Sequence, residues 1–100
     1  MHPERRLDQY LNLLRQQLPE LETRFGVRSL GVFGSHVRNE DRPGSDLDVL
    51  VSFEKTPGLL SFLALENHLA DLLGVEVDLV MEDSLKLGIG ERILNERVRV

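Results

Sequence analysis

Three aspartates stand where a carboxylate is costly. Asp46 and Asp48 are set into the stretch "SDLDVLVSF", and Asp78 into "VEVDLVM". Both stretches are mainly apolar apart from their acids, and a buried carboxylate is expensive unless something neutralises it. Side chains alternate along a strand. On a strand over 46–53, Leu47, Val49, Val51 and Phe53 share one face, and Asp46, Asp48, Leu50 and Ser52 share the other. On a strand over 75–81, Val75, Val77, Leu79 and Met81 oppose Glu76, Asp78 and Val80. If the two strands are neighbours with a common core, the three aspartates gather on the opposite side. Like charges there repel. Protonating one of them relieves the repulsion, and so does a bound cation. An oxygen-only donor set suits a hard ion such as Mg²⁺. Three carboxylates suffice for two ions about 3.5–4 Å apart, the arrangement that clamps an in-line phosphoryl displacement. Each aspartate alone is also what a solvated strand face looks like, so the joint pattern carries the reading.

A second constellation precedes the first. "FGSHVR" follows an apolar run directly. Gly34 permits a sharp turn and a close approach to a ligand. Ser35 offers a hydroxyl and an N-cap, and backbone N–H groups at such a turn form a phosphate seat. Arg38 points back toward that seat if one helical turn follows Ser35. Antiparallel pairing of strands 28–33 and 46–53 would bring the seat beside Asp46 and Asp48. The same residues also describe an ordinary strand-to-helix turn with Arg38 in solvent.

The elements that must position these residues follow from periodicity. Leu7, Tyr10, Leu11, Leu14 and Leu18 recur at helical spacing, which predicts a helix over 3–17. Pro19 is expected to break or kink it, with a short second helix over about 19–25 that stops at Gly26. Strands are predicted over 28–33, 46–53 and 75–81. Between the second and third, Leu59, Phe62, Leu63, Leu65, Leu69, Leu72 and Leu73 form the expected buried side of a helix over 59–73 closed by Gly74. A last helix over 89–96 and a short strand at Val98 and Val100 complete the order. The fold class is α/β (α+β): a small mixed sheet with helices packed on it.

With 100 residues and no internal repeat, one domain over 1–100 is expected. The net charge of −5 argues against direct nucleic-acid binding. The chain has no cysteine, which excludes disulfides and thiolate metal sites. No apolar stretch approaches membrane-spanning length, and "MHPERRLDQY" lacks a signal-peptide core. A cytoplasmic setting with no membrane partner is the expectation. His36 beside the seat is expected in a solvated loop, His2 and His68 at the surface, and Tyr10 in the core. Leu13, Leu60 and Ile93 are expected to be core before they are contact residues. "PERR" and "NERVR" read as solvated faces.

Taken together, G-S, an Arg three positions on, S-D-x-D and a later aspartate in "VEVDLV" resemble the signature of polymerase-β-like nucleotidyltransferases. The length is similar to that of their minimal (MNT) group, and the resemblance runs from the first helix to "ILNERV". It implies that Asp46 and Asp48 bind two Mg²⁺ ions and that Asp78 completes the triad and helps activate the attacking hydroxyl. It implies that Gly34 and Ser35, with Arg38, hold the triphosphate of ATP. It further implies an antitoxin of a type VII HEPN/MNT toxin–antitoxin system, transferring AMP to a tyrosine of a HEPN RNase toxin. The alternatives are a binding-only antitoxin, or a transferase for a small-molecule or RNA acceptor. In place of the family's Ala-Arg-Gly stand Val37, Arg38 and Asn39, and Asn39 is expected to adopt the positive φ that Gly would use.

Overall fold

Alternation of apolar and polar residues every second position builds a sheet with one buried face, and helical leucine spacing supplies the layer that covers it. A computed structural model describes residues 6–100 in this form. Helix α1 (Arg6–Phe25) leads into β1 (Val27–Phe33) and β2 (Leu47–Phe53). Helix α2 (Leu59–Leu73) connects to β3 (Val77–Met81), and a short 3₁₀ turn over Glu82–Ser84 precedes α3 (Ile89–Glu96) and β4 (Val98–Arg99). The sheet order is β3-β2-β1-β4, mixed in direction. β1 runs antiparallel to both β2 and β4, and β2 runs parallel to β3.

The core lies between the sheet and the first two helices. Leu14 and Leu21 of α1, Leu65 and Leu69 of α2, Val32 of β1, and Leu47, Val49 and Val51 of β2 are all fully buried in one cluster. Val77 and Leu79 extend it onto β3. The free edge of β3 is partly covered, because the Leu79 N–H donates to the Glu66 carboxylate of α2 at 3.0 Å. An edge strand with a satisfied donor is a poorer template for unwanted pairing.

Several boundaries differ from expectation. Helix α1 does not break at Pro19; it passes through to Phe25, with Pro19 on its exposed side. Burial of Leu14 before the proline and Leu21 after it pins both halves to one core, which outweighs the lost backbone bond. The Thr23 hydroxyl donates to the Pro19 carbonyl at 3.0 Å. β2 starts at Leu47, so Asp46 sits just ahead of the strand. β3 starts at Val77, although the Leu47 N–H already donates to the Glu76 carbonyl at 2.8 Å. The buried side of α2 is Leu65, Leu69 and Leu73; Leu59, Leu60 and Leu63 face outward, Leu60 with 83% of its surface exposed. His2, Pro3 and the rest of "PERR" up to Arg5 lie outside the described residues.

Candidate active site

β1 and β2 are in register with Phe33 opposite Asp48, and β2 and β3 with Asp48 opposite Asp78. One row across three strands therefore carries Phe33, Asp48 and Asp78 on the sheet face away from α1 and α2. Gly34 follows Phe33 directly. Its φ is +85°, in the left-handed region where a side chain is strained. A Cβ on Gly34 would collide with the Asp48 carboxylate. Glycine is thus required twice, for the turn and for the approach of backbone to carboxylate.

After Gly34 the chain closes one helical turn. The Val37 and Arg38 N–H groups donate to the Gly34 carbonyl, each at 3.1 Å, and the Glu40 N–H donates to the Ser35 carbonyl at 2.8 Å. Asn39 ends the turn at φ 60°, the conformation expected of it in place of glycine. The turn directs Arg38 back over the strand ends. Its Nη1 donates to Glu96 at 2.7 Å and its Nε to Glu40 at 3.1 Å. His36 is buried rather than solvated, 3% exposed. Its ring packs edge-on against Tyr10, centroids 5.8 Å apart, and its Nε2 lies 4.0 Å from an Asp41 carboxylate oxygen. His36 and Tyr10 thus anchor the turn to α1. His68 is half-buried against Phe25, centroids 5.5 Å apart, and not a plain surface residue.

A cleft of about 270 Å³ opens at this end of the sheet. Gly34, Arg38 and Asp48 line it together with Arg92, Ile93 and Glu96 of α3. Of the residues singled out from sequence, Gly34, Arg38 and Asp48 meet in this cleft. Asp78 stands one strand away on the same row, exposed, and Asp46 is exposed just before β2. Ser35 is half-buried in the turn and is not part of the cleft wall. Among the described residues no three acidic or imidazole side chains gather closely enough to form a ready-made metal cage.

The electrostatics single out Asp48. Burial pushes its pKa up, and the charges of Asp78 and then Asp46 push it further, while His36 and Arg38 pull the other way. Its carboxylate is therefore under-compensated. Glu96 has the opposite character: the hydrogen bond from Arg38 lowers its pKa, against the effect of burial, and the Gly34 N–H and the Arg92 charge add to the lowering. The Gly34 N–H donates to Glu96 Oε2 at 3.0 Å.

Glu96 was missed in the sequence because "NERVR" reads as a solvated run, and Arg92, just ahead of that run, drew no attention of its own. A signal was present: Ile89, Arg92, Ile93 and Glu96 recur at three, four and seven residues, one face of a helix. Arg97 is also not simply solvated; its Nη1 donates to Glu82 at 3.0 Å, tying the end of α3 to the turn after β3.

Comparison with known proteins identifies the family and the fold. The chain belongs to the nucleotidyltransferase domain family, whose sequence pattern it matches over residues 14–100. The protein adenylyltransferase MntA of Thermococcus cleftensis is 51% identical over 94 residues, which cover 94% of this chain and 95% of that one. A relative in Methanocaldococcus jannaschii, also named as a protein adenylyltransferase, is 44% identical over 75 residues, 75% of this chain and 76% of that one. Among solved structures, a minimal nucleotidyltransferase superposes with a TM-score of 0.76 at 39% identity, covering 92% of this chain and 94% of that chain. A toxin–antitoxin complex with AMP-PNP shares the fold, with a TM-score of 0.67 at 23% identity over 92% of this chain and 69% of that chain. The three helices and four-stranded mixed sheet are thus a nucleotidyltransferase fold, and the chain is an enzyme of that class. No helix among the described residues is long and apolar enough to cross a membrane.

Proposed function

We propose that this nucleotidyltransferase is a Mg²⁺-dependent protein adenylyltransferase that acts as the antitoxin of a HEPN toxin, moving AMP from ATP to a tyrosine hydroxyl. The observation that carries the chemistry is the shared cleft, in which the Gly34 turn and Arg38 face a carboxylate whose charge is under-compensated. The relatives named as protein adenylyltransferases support a protein acceptor. A fold relative from Shewanella oneidensis was solved as an MNT antitoxin with a tri-AMPylated HEPN toxin. It supplies the class of acceptor to try first.

Gly34, Ser35 and Arg38 would hold the triphosphate, the first two through the turn and the last by charge-assisted hydrogen bonds. All-oxygen donors with uncompensated charge fit a hard divalent cation, so Asp46, Asp48 and Asp78 are the residues that would hold Mg²⁺. Such sites are commonly completed by substrate phosphates, which accords with the open arrangement here. When bound, the ion supplies charge neutralisation and polarisation at the α-phosphate. Asp78, one strand from Asp48 and exposed to solvent, would accept the proton of the incoming hydroxyl. The new bond joins the tyrosine oxygen to the α-phosphorus, the bond from that phosphorus to the bridging oxygen breaks, and pyrophosphate leaves with the electron pair. A cleft of about 270 Å³ lies just below the roughly 300–1,000 Å³ of self-sufficient ligand pockets. A partner chain is therefore expected to complete the acceptor side.

The test is the intact mass of the product of the neighbouring gene, co-expressed with this chain, after incubation with Mg-ATP and either wild type or Asp46→Ala/Asp48→Ala. AMP-sized increments that need both aspartates are expected. A stable complex with no added mass would leave a binding-only antitoxin. AMP appearing on RNA or a small molecule instead would replace the acceptor class.

A further inference from the structure

The donors assigned to the nucleotide are not idle. The Gly34 N–H and the Arg38 guanidinium both donate to one carboxylate, Glu96, at 3.0 and 2.7 Å through its two oxygens. A carboxylate presenting two oxygens to a backbone N–H and a guanidinium is a close mimic of a phosphate presenting two of its own. Glu96 comes from α3, 62 residues after Gly34, so local chain geometry does not force the contact. Two anions at one N–H repel, so a phosphate and the Glu96 carboxylate exclude each other there.

We infer that Glu96 is a resident anion: it occupies the phosphate seat of the nucleotide-free protein and sets nucleotide affinity by competing for Gly34 and Arg38. The inference rests on the reading of that turn as the phosphate seat. Displacement does not strand the carboxylate. Arg92 lies four residues earlier on the same helix, lines the same cleft and already acts on the Glu96 charge. Residues four apart on a helix are neighbours, so Glu96 exchanges Arg38 for Arg92 as the nucleotide enters. The apparent affinity of a site is reduced by the fraction of molecules in which it is closed. Glu96 thus makes this cleft a weaker nucleotide binder than its donors alone would be, and favours ligands with enough phosphate charge to displace it.

The experiment is a calorimetric titration of the protein with Mg²⁺ and α,β-methylene-ATP, which cannot release pyrophosphate. Glu96→Gln keeps the shape and an acceptor for Arg38 but removes the charge. It is expected to tighten binding about three- to tenfold, and AMP itself to gain less than the triphosphate analogue. Equal or weaker binding by Glu96→Gln overturns the inference and makes Glu96 a positioning residue for Arg38. Arg38→Ala reports separately on the seat. If wild type binds and Arg38→Ala loses nothing, the seat reading fails and the inference with it; if Arg38→Ala weakens binding while Glu96→Gln does not tighten it, only the inference fails. A crystal structure of the wild-type complex needs no variant. A phosphate oxygen on the Gly34 N–H with Glu96 swung away is expected, and a Glu96 carboxylate still on Gly34 in the occupied site refutes the exchange.

Discussion

The two faces of β2 are built from neighbouring residues and do opposite work. Leu47, Val49 and Val51 point into the core and are fully buried. Asp48, between two of them, points the other way, half-buried, opposite Asp78 and under the Gly34 turn. One face lowers the free energy of the fold; the other raises it by crowding like charges at a low-dielectric site. A period of two is what lets a strand do both without compromise. The difference teaches that stability and chemistry in this protein are separable by substitution, even though they sit 3–4 Å apart along one backbone.

The sharpest way to break that comparison is Asp48→Asn. It is expected to reduce AMP transfer at least about 10²–10³-fold, as for loss of other charged transition-state partners, measured by the initial rate of mass gain on the acceptor. A modest loss would mean that the open face is not where the chemistry lies. On the other face, Leu65→Ala, in α2 within the same buried core, should cost about 2–5 kcal/mol in chemical denaturation. Transfer per folded molecule should be unchanged. A large drop in that specific activity would show that core and site are coupled.

Gly34→Ala comes next and should touch both properties. The methyl group meets the Asp48 carboxylate and a φ of +85°, which together should cost about 1–3 kcal/mol of stability and most of the activity. Wild-type behaviour in both assays would show that the turn has more freedom than its geometry suggests.

Asp48→Asn also carries a smaller, opposite prediction for stability. The folded-state pKa of Asp48 is raised. Below its unfolded-state pKa the carboxyl is neutral in both states and contributes nothing. As pH climbs from there through the raised folded value, the unfolded chain ionises more readily, so the native state loses stability and keeps that deficit at neutral pH. Asn removes the deficit. The variant should therefore be more stable than wild type by up to about 1 kcal/mol near pH 7, and the gain should vanish near about pH 3. Thermal melts at the two pH values check this. Mg²⁺ should raise the melting temperature of the wild type at neutral pH, by binding the native state, and raise that of Asp48→Asn less. The smallest effect belongs to the outward leucines of α2. Leu60→Ala should change stability of the isolated chain by no more than about 0.5 kcal/mol.

How much of this was legible in the sequence differs from element to element. α2 was legible in extent but not in phase. Leucines at 59, 60, 63, 65, 69, 72 and 73 satisfy helical spacing along more than one stripe, and only docking on the sheet selects Leu65, Leu69 and Leu73. α3 was the reverse. Its polar composition hid a face that lines the cleft, because an Arg and a Glu look the same in sequence whether they are solvated or paired across 58 residues. Pro19 carried a strong local signal that lost to burial on either side of it. His36 was read from its polar neighbours, but its ring is held by Tyr10 of α1, a contact between distant parts of the chain.

What the sequence by itself determined was local chemistry with a short period. The alternation in 46–53 and 75–81 put Asp48 and Asp78 on one face once the two strands are neighbours, and the Gly-Ser pair marked the place where the chain turns after β1. The antiparallel pairing of β1 with β2 was a condition for the Gly34 turn to meet Asp48, and the structure supplies it. The tertiary structure alone decided what closes the other side of the cleft. α3 returns after β3 to place Glu96 on Gly34 and Arg38, and Arg92 beside them. Periodicity reports which way a side chain points from its own element. It holds no information on which element will face it, because that choice is made by the packing of the whole chain.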